Sequence, residues 1–183
     1  MIPTREQING LWQKYRFPEL KRIHVTWVAR VALFFAEKLS EQGIAVDSDL
    51  LEAAALLHDI DKNIPKLPDE SHPDAGVRVL REAGFDEVAD LVRTHPLHSI
   101  LDPAIRPETW EQKLLYLSDK MVKHEVITVD RRFALWRAED LDAGARNVLE
   151  KCYPLVKSLE KDVLLRIGVL PSEVAKLVRA RYT

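Results

Sequence analysis

Residues 50–58 constrain the fold of this chain more than any other segment, because LLEAAALLH is apolar on nearly every face of a helix. A helix of this kind has no side that suits water and lies at the centre of a protein. Ser48 is placed to cap its first turn. The segment ends at His58-Asp59, two residues that are costly to bury without partners. The sequence therefore predicts a central helix that ends in polar groups inside the protein.

Further helices are indicated along the rest of the chain by apolar residues at helical spacing and by Gly and Pro between the segments. Thr4 is expected to cap a first helix that runs through Tyr15. The other helices are predicted over residues 19–42, 74–82, 86–94, 108–122, 130–138, 143–167 and 172–181, and Pro154 is expected to bend the long one. The strand-like residues 126–129 are too few to build a sheet. The expected fold class is therefore all-α, a compact helical bundle.

Length and composition fit one domain over residues 1–183, with a core at about 20–137 and a C-terminal helical extension at 138–183. A net charge of −2 gives no support for a nucleic-acid partner. The most apolar run, residues 25–36, contains Arg30 and is too short to span a membrane. No signal peptide is visible, and the single cysteine, Cys152, is expected to be buried. We therefore expect a cytoplasmic protein with no membrane partner.

Four residues do not suit the apolar helical faces on which they lie, and they occur in the order His24, His58-Asp59, Asp119. A lone core histidine is more often hydrogen-bonded than metal-bound, and a lone aspartate is more often a cap or an ion-pair partner. Imidazole and carboxylate are, however, the common protein ligands of divalent metals. One metal ion would account for the burial of all four residues, so the set together indicates a metal site.

This order of residues resembles the HD superfamily of metal-dependent phosphohydrolases, over about residues 20–137. LLHDIDK is similar to the HDxxK form of the motif, with Lys62 in the lysine position, and LLYLSDKMV is similar to the segment that contributes the last aspartate. The resemblance implies a bundle of the HD-domain type and a divalent metal bound by His24, His58, Asp59 and Asp119. It also implies hydrolysis by metal-activated water, with Asp59 and Lys62 as the catalytic residues.

His72 and His95 lie where some HD branches carry added histidines, among them HD-type symmetrical diadenosine tetraphosphate hydrolases. The stretch YLSDKMV…RRFAL is similar to HD modules found beside nucleotidyltransferases. By this resemblance His72 and His95 bind a second ion in a dinuclear site bridged by Asp59. The alternative is that both are loop histidines at the surface.

Candidate substrate contacts are Lys62, His98, Arg131 and Arg132, with surface exposure as the alternative for each of them. Lys120 follows Asp119 and is expected to point to a different helical face. Mixed His and Asp ligation favours iron or manganese, with cobalt, nickel, zinc or magnesium as alternatives, and one or two ions.

The leading function is a phosphohydrolase that cleaves a phosphoester or phosphoanhydride of a nucleotide or dinucleotide. Chain length and the added histidines favour a small soluble substrate, with a diadenosine tetraphosphate-like compound first and nucleoside monophosphates or cyclic dinucleotides after it. The sequence departs from the cyclic-dinucleotide branch, because no GYP segment follows the HD pair. One alternative is a metal-holding, nucleotide-binding regulatory module without turnover, and another is a purely structural bundle. A homodimer through the C-terminal helices is left open.

Overall fold

The protein is described from a computed structural model that covers residues 1–182. Within that range the chain forms nine α-helices, which we number α1 to α9. They are α1 (Arg5–Lys14), α2 (Glu19–Glu41), α3 (Ser48–Leu57), α4 (Asp74–Glu82), α5 (Asp86–Arg93), α6 (Trp110–Lys120), α7 (Val129–Arg137), α8 (Ala143–Ile167) and α9 (Pro171–Tyr182). Two 3-10 helices, Ile60–Asn63 and Leu97–Leu101, lie between them. The predicted all-α fold class is confirmed.

Helix α3 is the centre of the bundle, as its apolar sequence predicts. It packs against α1, α2, α5 and α6, and every residue from 53 to 57 is buried. The predicted cap was wrong by one residue, because Asp47 rather than Ser48 precedes the helix and accepts a hydrogen bond from the Leu50 amide at 2.9 Å. The amide of Asp47 donates to Glu111 Oε1 on α6, which holds Asp47 outside the helix.

Helices α8 and α9 pack on the rest of the bundle. Helix α8 contacts α2, α6, α7 and the 3-10 helix Leu97–Leu101, and α9 contacts α2. Helix α8 continues through Pro154 as one segment. Pro154 is exposed, so water can satisfy the carbonyl group that its missing N–H leaves without a partner. Gly168, at a φ of 66°, ends the helix in the left-handed conformation that favours glycine.

The strand-like residues 126–129 form no strand. In the described part of the chain, β-type pairing is limited to one antiparallel bridge between Val122 and Val126. This bridge closes the turn between α6 and α7, and Thr128 then caps α7 by accepting from the Arg131 amide. None of the helices in residues 1–182 combines the length and apolar character that crossing a membrane requires.

Candidate metal centre

The C-terminal end of α3 is where three helices of the bundle bring their polar residues together. Helix α2 carries His24, α3 leads into His58-Asp59, and α6 carries Asp119. Nε2 of His24 lies 3.1 Å from Oδ1 of Asp119, and Nε2 of His58 lies 3.5 Å from the same oxygen. Nε2 of His58 is also 4.0 Å from Oδ2 of Asp59. Residues that are up to 95 positions apart in sequence therefore meet at one point.

Adjacent residues on a regular helix point about 100° apart, so His58 and Asp59 need a special backbone to face the same point. The structure provides it, because α3 ends at Leu57 with His58 as the C-cap residue. Asp59 then takes φ −102° and ψ 16°, outside the α-helical range, and the chain enters the 3-10 helix Ile60–Asn63. The change of helix type turns both side chains towards His24 and Asp119.

His72 and His95 form a second group with Asp59. Their Nε2 atoms lie 2.9 Å apart, and Nε2 of His72 is 3.7 Å from Oδ1 of Asp59. Potential ligand atoms of His24, His58 and Asp59 lie within 4.8 Å of one another, and so do those of Asp59, His72 and His95. The chain therefore contains two residue groups that could each hold a metal ion, and Asp59 belongs to both.

The four histidines of these two groups share one hydrogen-bonding pattern. Nδ1 of His24 donates to the carbonyl of Lys123 at 3.1 Å. Nδ1 of His58 donates to the carbonyl of Ala55 at 2.8 Å, and Nδ1 of His95 to that of Val92 at 2.6 Å. Because a carbonyl oxygen only accepts, each of these Nδ1 atoms carries a proton, so Nε2 is the nitrogen that the neutral ring offers to a metal. This arrangement is typical of histidines that bind metals.

His72 follows the same pattern through a side chain. Its Nδ1 lies 2.9 and 3.0 Å from the two oxygens of Asp61, a buried carboxylate that can only accept. Helix α4 passes close to Asp61 at Gly76 and holds it in place. A side chain at Gly76 would put its Cβ 3.5 Å from Cβ of Asp61. The sequence interpretation missed Asp61. The sequence did contain one signal for it, a second carboxylate two residues after Asp59 and next to the apolar Ile60.

The donor set fits a divalent cation. Nε2 of His58 is buried and has no hydrogen-bond partner among the described residues. Nε2 of His72 and Nε2 of His95 face each other at 2.9 Å, and Nε2 of His24 faces a carboxylate oxygen at 3.1 Å. Such contacts repel unless a proton or a metal ion lies between the atoms. Imidazole nitrogens and carboxylate oxygens are the ligands that divalent transition metals prefer.

The electrostatic environment keeps both aspartates ionised. Burial alone would raise the pKa of Asp59, but attraction to His58 and Lys62 outweighs it and lowers that pKa far below its ordinary value. Burial also opposes ionisation of Asp119, yet Lys120 and the neighbouring imidazoles of His24 and His58 hold its pKa well below the usual range. Two carboxylates that stay charged inside a protein are suited to binding a cation.

The two buried histidines next to these aspartates shift in opposite directions. Burial acts to lower the pKa of His58, but attraction to Asp59 and contact with Asp119 raise it. Burial, together with repulsion from His58 and His72, lowers the pKa of His95 well below its ordinary value. His95 is therefore neutral at physiological pH, the form in which imidazole binds a metal.

Three lysines surround the two groups. Nζ of Lys62 is 3.2 Å from Oδ1 of Asp59 and 3.1 Å from Nδ1 of His72, and Nζ of Lys21 is 2.8 Å from the other Asp59 oxygen. Sequence interpretation missed Lys21, although it lies one helical turn before His24. Lys120 was expected on another face, but its long side chain is buried and turns back to Oδ2 of Asp119 at 2.8 Å. Lys120 also donates to the carbonyl of His95.

A cleft of about 430 Å³ opens onto these residues. Both ligand groups contribute to its lining, and so do Lys21, Lys62, His98 and Arg132. Arg131 is exposed and lies outside the lining. Arg132 has a buried Nε with no hydrogen-bond partner in residues 1–182, and its guanidinium stacks on the Trp136 ring at 4.5 Å. The cleft therefore has a cationic wall beside its carboxylates.

Comparison with known proteins identifies the family. The model of the HD domain matches residues 22–131, more than half of the chain and all of both ligand groups. The chain belongs to the HD domain family, a family of metal-dependent phosphohydrolases. No curated protein and no solved structure matches the chain.

Proposed function

We propose that this protein is a metal-dependent phosphohydrolase that cleaves a phosphoester or phosphoanhydride bond of a nucleotide or dinucleotide. The observation that carries the proposal is the orientation of the four histidines, whose Nδ1 atoms all bind protein oxygens while their Nε2 atoms turn towards Asp119, Asp59 or one another. In this proposal His24, His58, Asp59 and Asp119 would hold one ion, and His72 and His95 would hold a second, with Asp59 available to both. Iron or manganese is the preferred metal, with cobalt, nickel, zinc or magnesium as alternatives.

A bound divalent metal would lower the pKa of a water molecule, so that hydroxide is available to attack phosphorus. It would also polarise the phosphoryl oxygen. Asp59 is the catalytic carboxylate, because it remains charged and lies between the two ligand groups, where it can orient that water. Lys62 and Lys21 lie on either side of Asp59 and neutralise charge on the phosphoryl group. Arg132 lines the cleft, and its guanidinium suits a phosphate oxygen. His98 lines the same wall and is a further phosphate contact.

The size and charge of the cleft support a small soluble substrate. Its volume of about 430 Å³ falls within the range of about 300–1,000 Å³ that is typical of small-molecule sites. The cationic wall is local, because the chain as a whole has a net charge of −2. A diadenosine tetraphosphate-like compound or a nucleoside monophosphate, encountered in the cytoplasm, is the substrate we propose. Exposed Arg131 is left as a contact for the outer part of a long substrate.

The test combines metal analysis with turnover. Protein purified without chelator is analysed by inductively coupled plasma mass spectrometry and then assayed with Fe, Mn, Co or Ni. The substrates are p-nitrophenyl phosphate, bis-p-nitrophenyl phosphate and a panel of nucleotides that includes diadenosine tetraphosphate. The matched control is His124→Ala, which removes an exposed histidine that belongs to neither ligand group.

We expect one or two ions per chain and turnover of at least one nucleotide, both unchanged in His124→Ala. Bound metal and nucleotide without turnover under any loading would contradict hydrolysis and favour the metal-holding regulatory module. Absence of metal at every loading would contradict both functions and leave a structural bundle.

A further inference from the structure

A second cavity lies next to the cleft at the metal centre, and its walls are different. It has a volume of about 460 Å³. It is built where the 3-10 helix Leu97–Leu101, the end of α7 and the first turns of α8 meet. Most of its lining is apolar and comes from Leu97, Trp136, Leu141, Ala145, Val148 and Leu149. His98 and Glu139 complete the lining. A phosphate is poorly suited to apolar walls beside a carboxylate, because burying a charge without a partner is costly.

The two cavities share a wall. Leu97, His98 and Trp136 line both the apolar cavity and the cleft that contains the two ligand groups. A ligand whose phosphate lies at the metal centre can therefore extend past these three residues into the apolar cavity. The cleft itself offers little apolar surface to the rest of the ligand, because its remaining lining consists mainly of histidines, aspartates and cations.

The shared wall is held firmly by its neighbours. The carbonyl of Leu97 accepts hydrogen bonds from the hydroxyl of Tyr116 at 2.8 Å and from the thiol of Cys152 at 3.3 Å. The indole of Trp136 meets the ring of Phe133 edge to face, with centroids 5.1 Å apart. The guanidinium of Arg132 stacks on the same indole. The cavity is therefore preformed, as small-molecule sites usually are.

We infer that the apolar cavity binds the nucleobase of the substrate, so that the protein selects nucleoside phosphates over phosphates that lack a base. The inference rests on the proposed function. A planar base suits apolar walls that include an indole, because aromatic rings are large apolar groups with a stacking surface. Stacking of a base on an aromatic side chain contributes about 1–3 kcal/mol, or roughly tenfold to a hundredfold in affinity. Arg132 then links the two ends, because its guanidinium lies over Trp136 and also lines the cleft.

Filling the cavity tests the inference. Ala145 and Asn147 are both exposed residues of α8, but only Ala145 lines the cavity. Ala145→Phe places a ring in the space meant for the base, and Asn147→Phe adds the same ring to the same helix elsewhere. AMP and ribose 5-phosphate differ only by the base. We expect Ala145→Phe to lower the ratio of kcat/KM for AMP to kcat/KM for ribose 5-phosphate by roughly tenfold or more, and Asn147→Phe to leave that ratio unchanged.

A binding experiment separates this inference from the proposed function. Adenosine, which has no phosphate, is titrated into zinc-loaded protein while the indole N–H resonance of Trp136, assigned with Trp136→Phe, is followed by NMR. We expect a shift in the wild-type protein and in Asn147→Phe, and a much smaller one in Ala145→Phe. Such a shift without any turnover would support the cavity and contradict the proposed hydrolysis.

Two results would overturn the nucleobase site. One is turnover of AMP and ribose 5-phosphate at a ratio that Ala145→Phe does not change, with no effect of adenosine on Trp136; the proposed hydrolysis would then stand. The other is a dimer, measured by size-exclusion chromatography with light scattering, that Ala145→Phe dissociates and Asn147→Phe does not. That outcome would assign the cavity to a second copy of the chain.

Discussion

The two ligand groups that share Asp59 are built in different ways. In the first group His24 lies on α2 and His58 lies at the end of α3. Both are buried, and their Nδ1 atoms bind main-chain carbonyls. In the second group His72 precedes α4, its side chain is 29% exposed, and its orientation depends on the carboxylate of Asp61. The Ala55 carbonyl belongs to the packed helix α3, and the Lys123 carbonyl to the turn that the Val122–Val126 bridge closes. Main-chain groups held in this way move less than a side chain does. We therefore expect the first group to hold its ion more tightly than the second.

The largest expected effect comes from the residue that both groups use. Asp59→Ala should abolish binding of both ions and lower kcat/KM about 10⁴-fold, because metal ions contribute several kcal/mol of transition-state stabilisation. Metal analysis and initial rates measure the two effects, and circular dichroism checks that the helices remain. Retention of one ion at wild-type affinity would show that the two groups do not depend on a shared ligand.

A matched pair of histidine variants separates the groups. His58→Ala should remove the ion of the first group. His72→Ala should leave one ion per chain, because Asp59 is the one residue of the first group that His72 contacts. Native mass spectrometry counts the ions in each variant. Equal loss of both ions in His72→Ala would remove the proposed difference between the groups.

Lys120 connects the two groups, since its ammonium contacts Asp119 of the first and the main-chain carbonyl of His95 in the second. Removing one partner of a buried ion pair costs about 3–5 kcal/mol. Lys120→Met should therefore lower the free energy of unfolding by about that amount in chelator-treated protein, and by less with manganese bound. Urea titrations measure both values, and exposed Lys161→Met is the control. An equal loss with and without metal would show that Lys120 acts through packing alone.

The smallest effect should come from the side chain that orients His72. Asp61→Asn keeps the shape but weakens the acceptor, and loss of such a partner typically lowers metal affinity about 10- to 100-fold. Calorimetric titration with manganese should show this change for the weaker ion only. Asp69→Asn is the control, because Asp69 is exposed and lies between the 3-10 helix that contains Asp61 and α4. A change in the tighter ion instead would place Asp61 with the first group.

Much of the fold was accessible from the sequence because helices are determined by local patterns. Apolar periodicity and the positions of Gly and Pro predicted each α-helix to within a few residues, including the central position of α3. The cap of α3 was predicted one residue late because both Asp47 and Ser48 are suitable caps. A contact with Glu111, 64 residues away, decides between them. A local pattern does not contain such a contact.

The residues of the site were accessible in part, for a different reason. His24, His58, Asp59 and Asp119 stood out as polar side chains on apolar faces, and the structure brings them together. Asp61 and Lys21 did not stand out, because charged residues in a loop or at the start of a helix are ordinary in any sequence. The position of Lys120 was misjudged because helical spacing gives the direction of Cβ and does not show where a long side chain ends.

What the sequence by itself determined is the set of helices and the presence of polar groups on their apolar faces, since both follow from neighbours within a few turns. The tertiary structure alone decided which nitrogen of each histidine faces the centre, that Asp61 and Lys21 contact the two groups, and that an apolar cavity lies beside them. These features depend on contacts between distant segments, such as the hydrogen bond from His24 to the Lys123 carbonyl across 99 positions. They arise only when the packed core brings those segments to fixed distances.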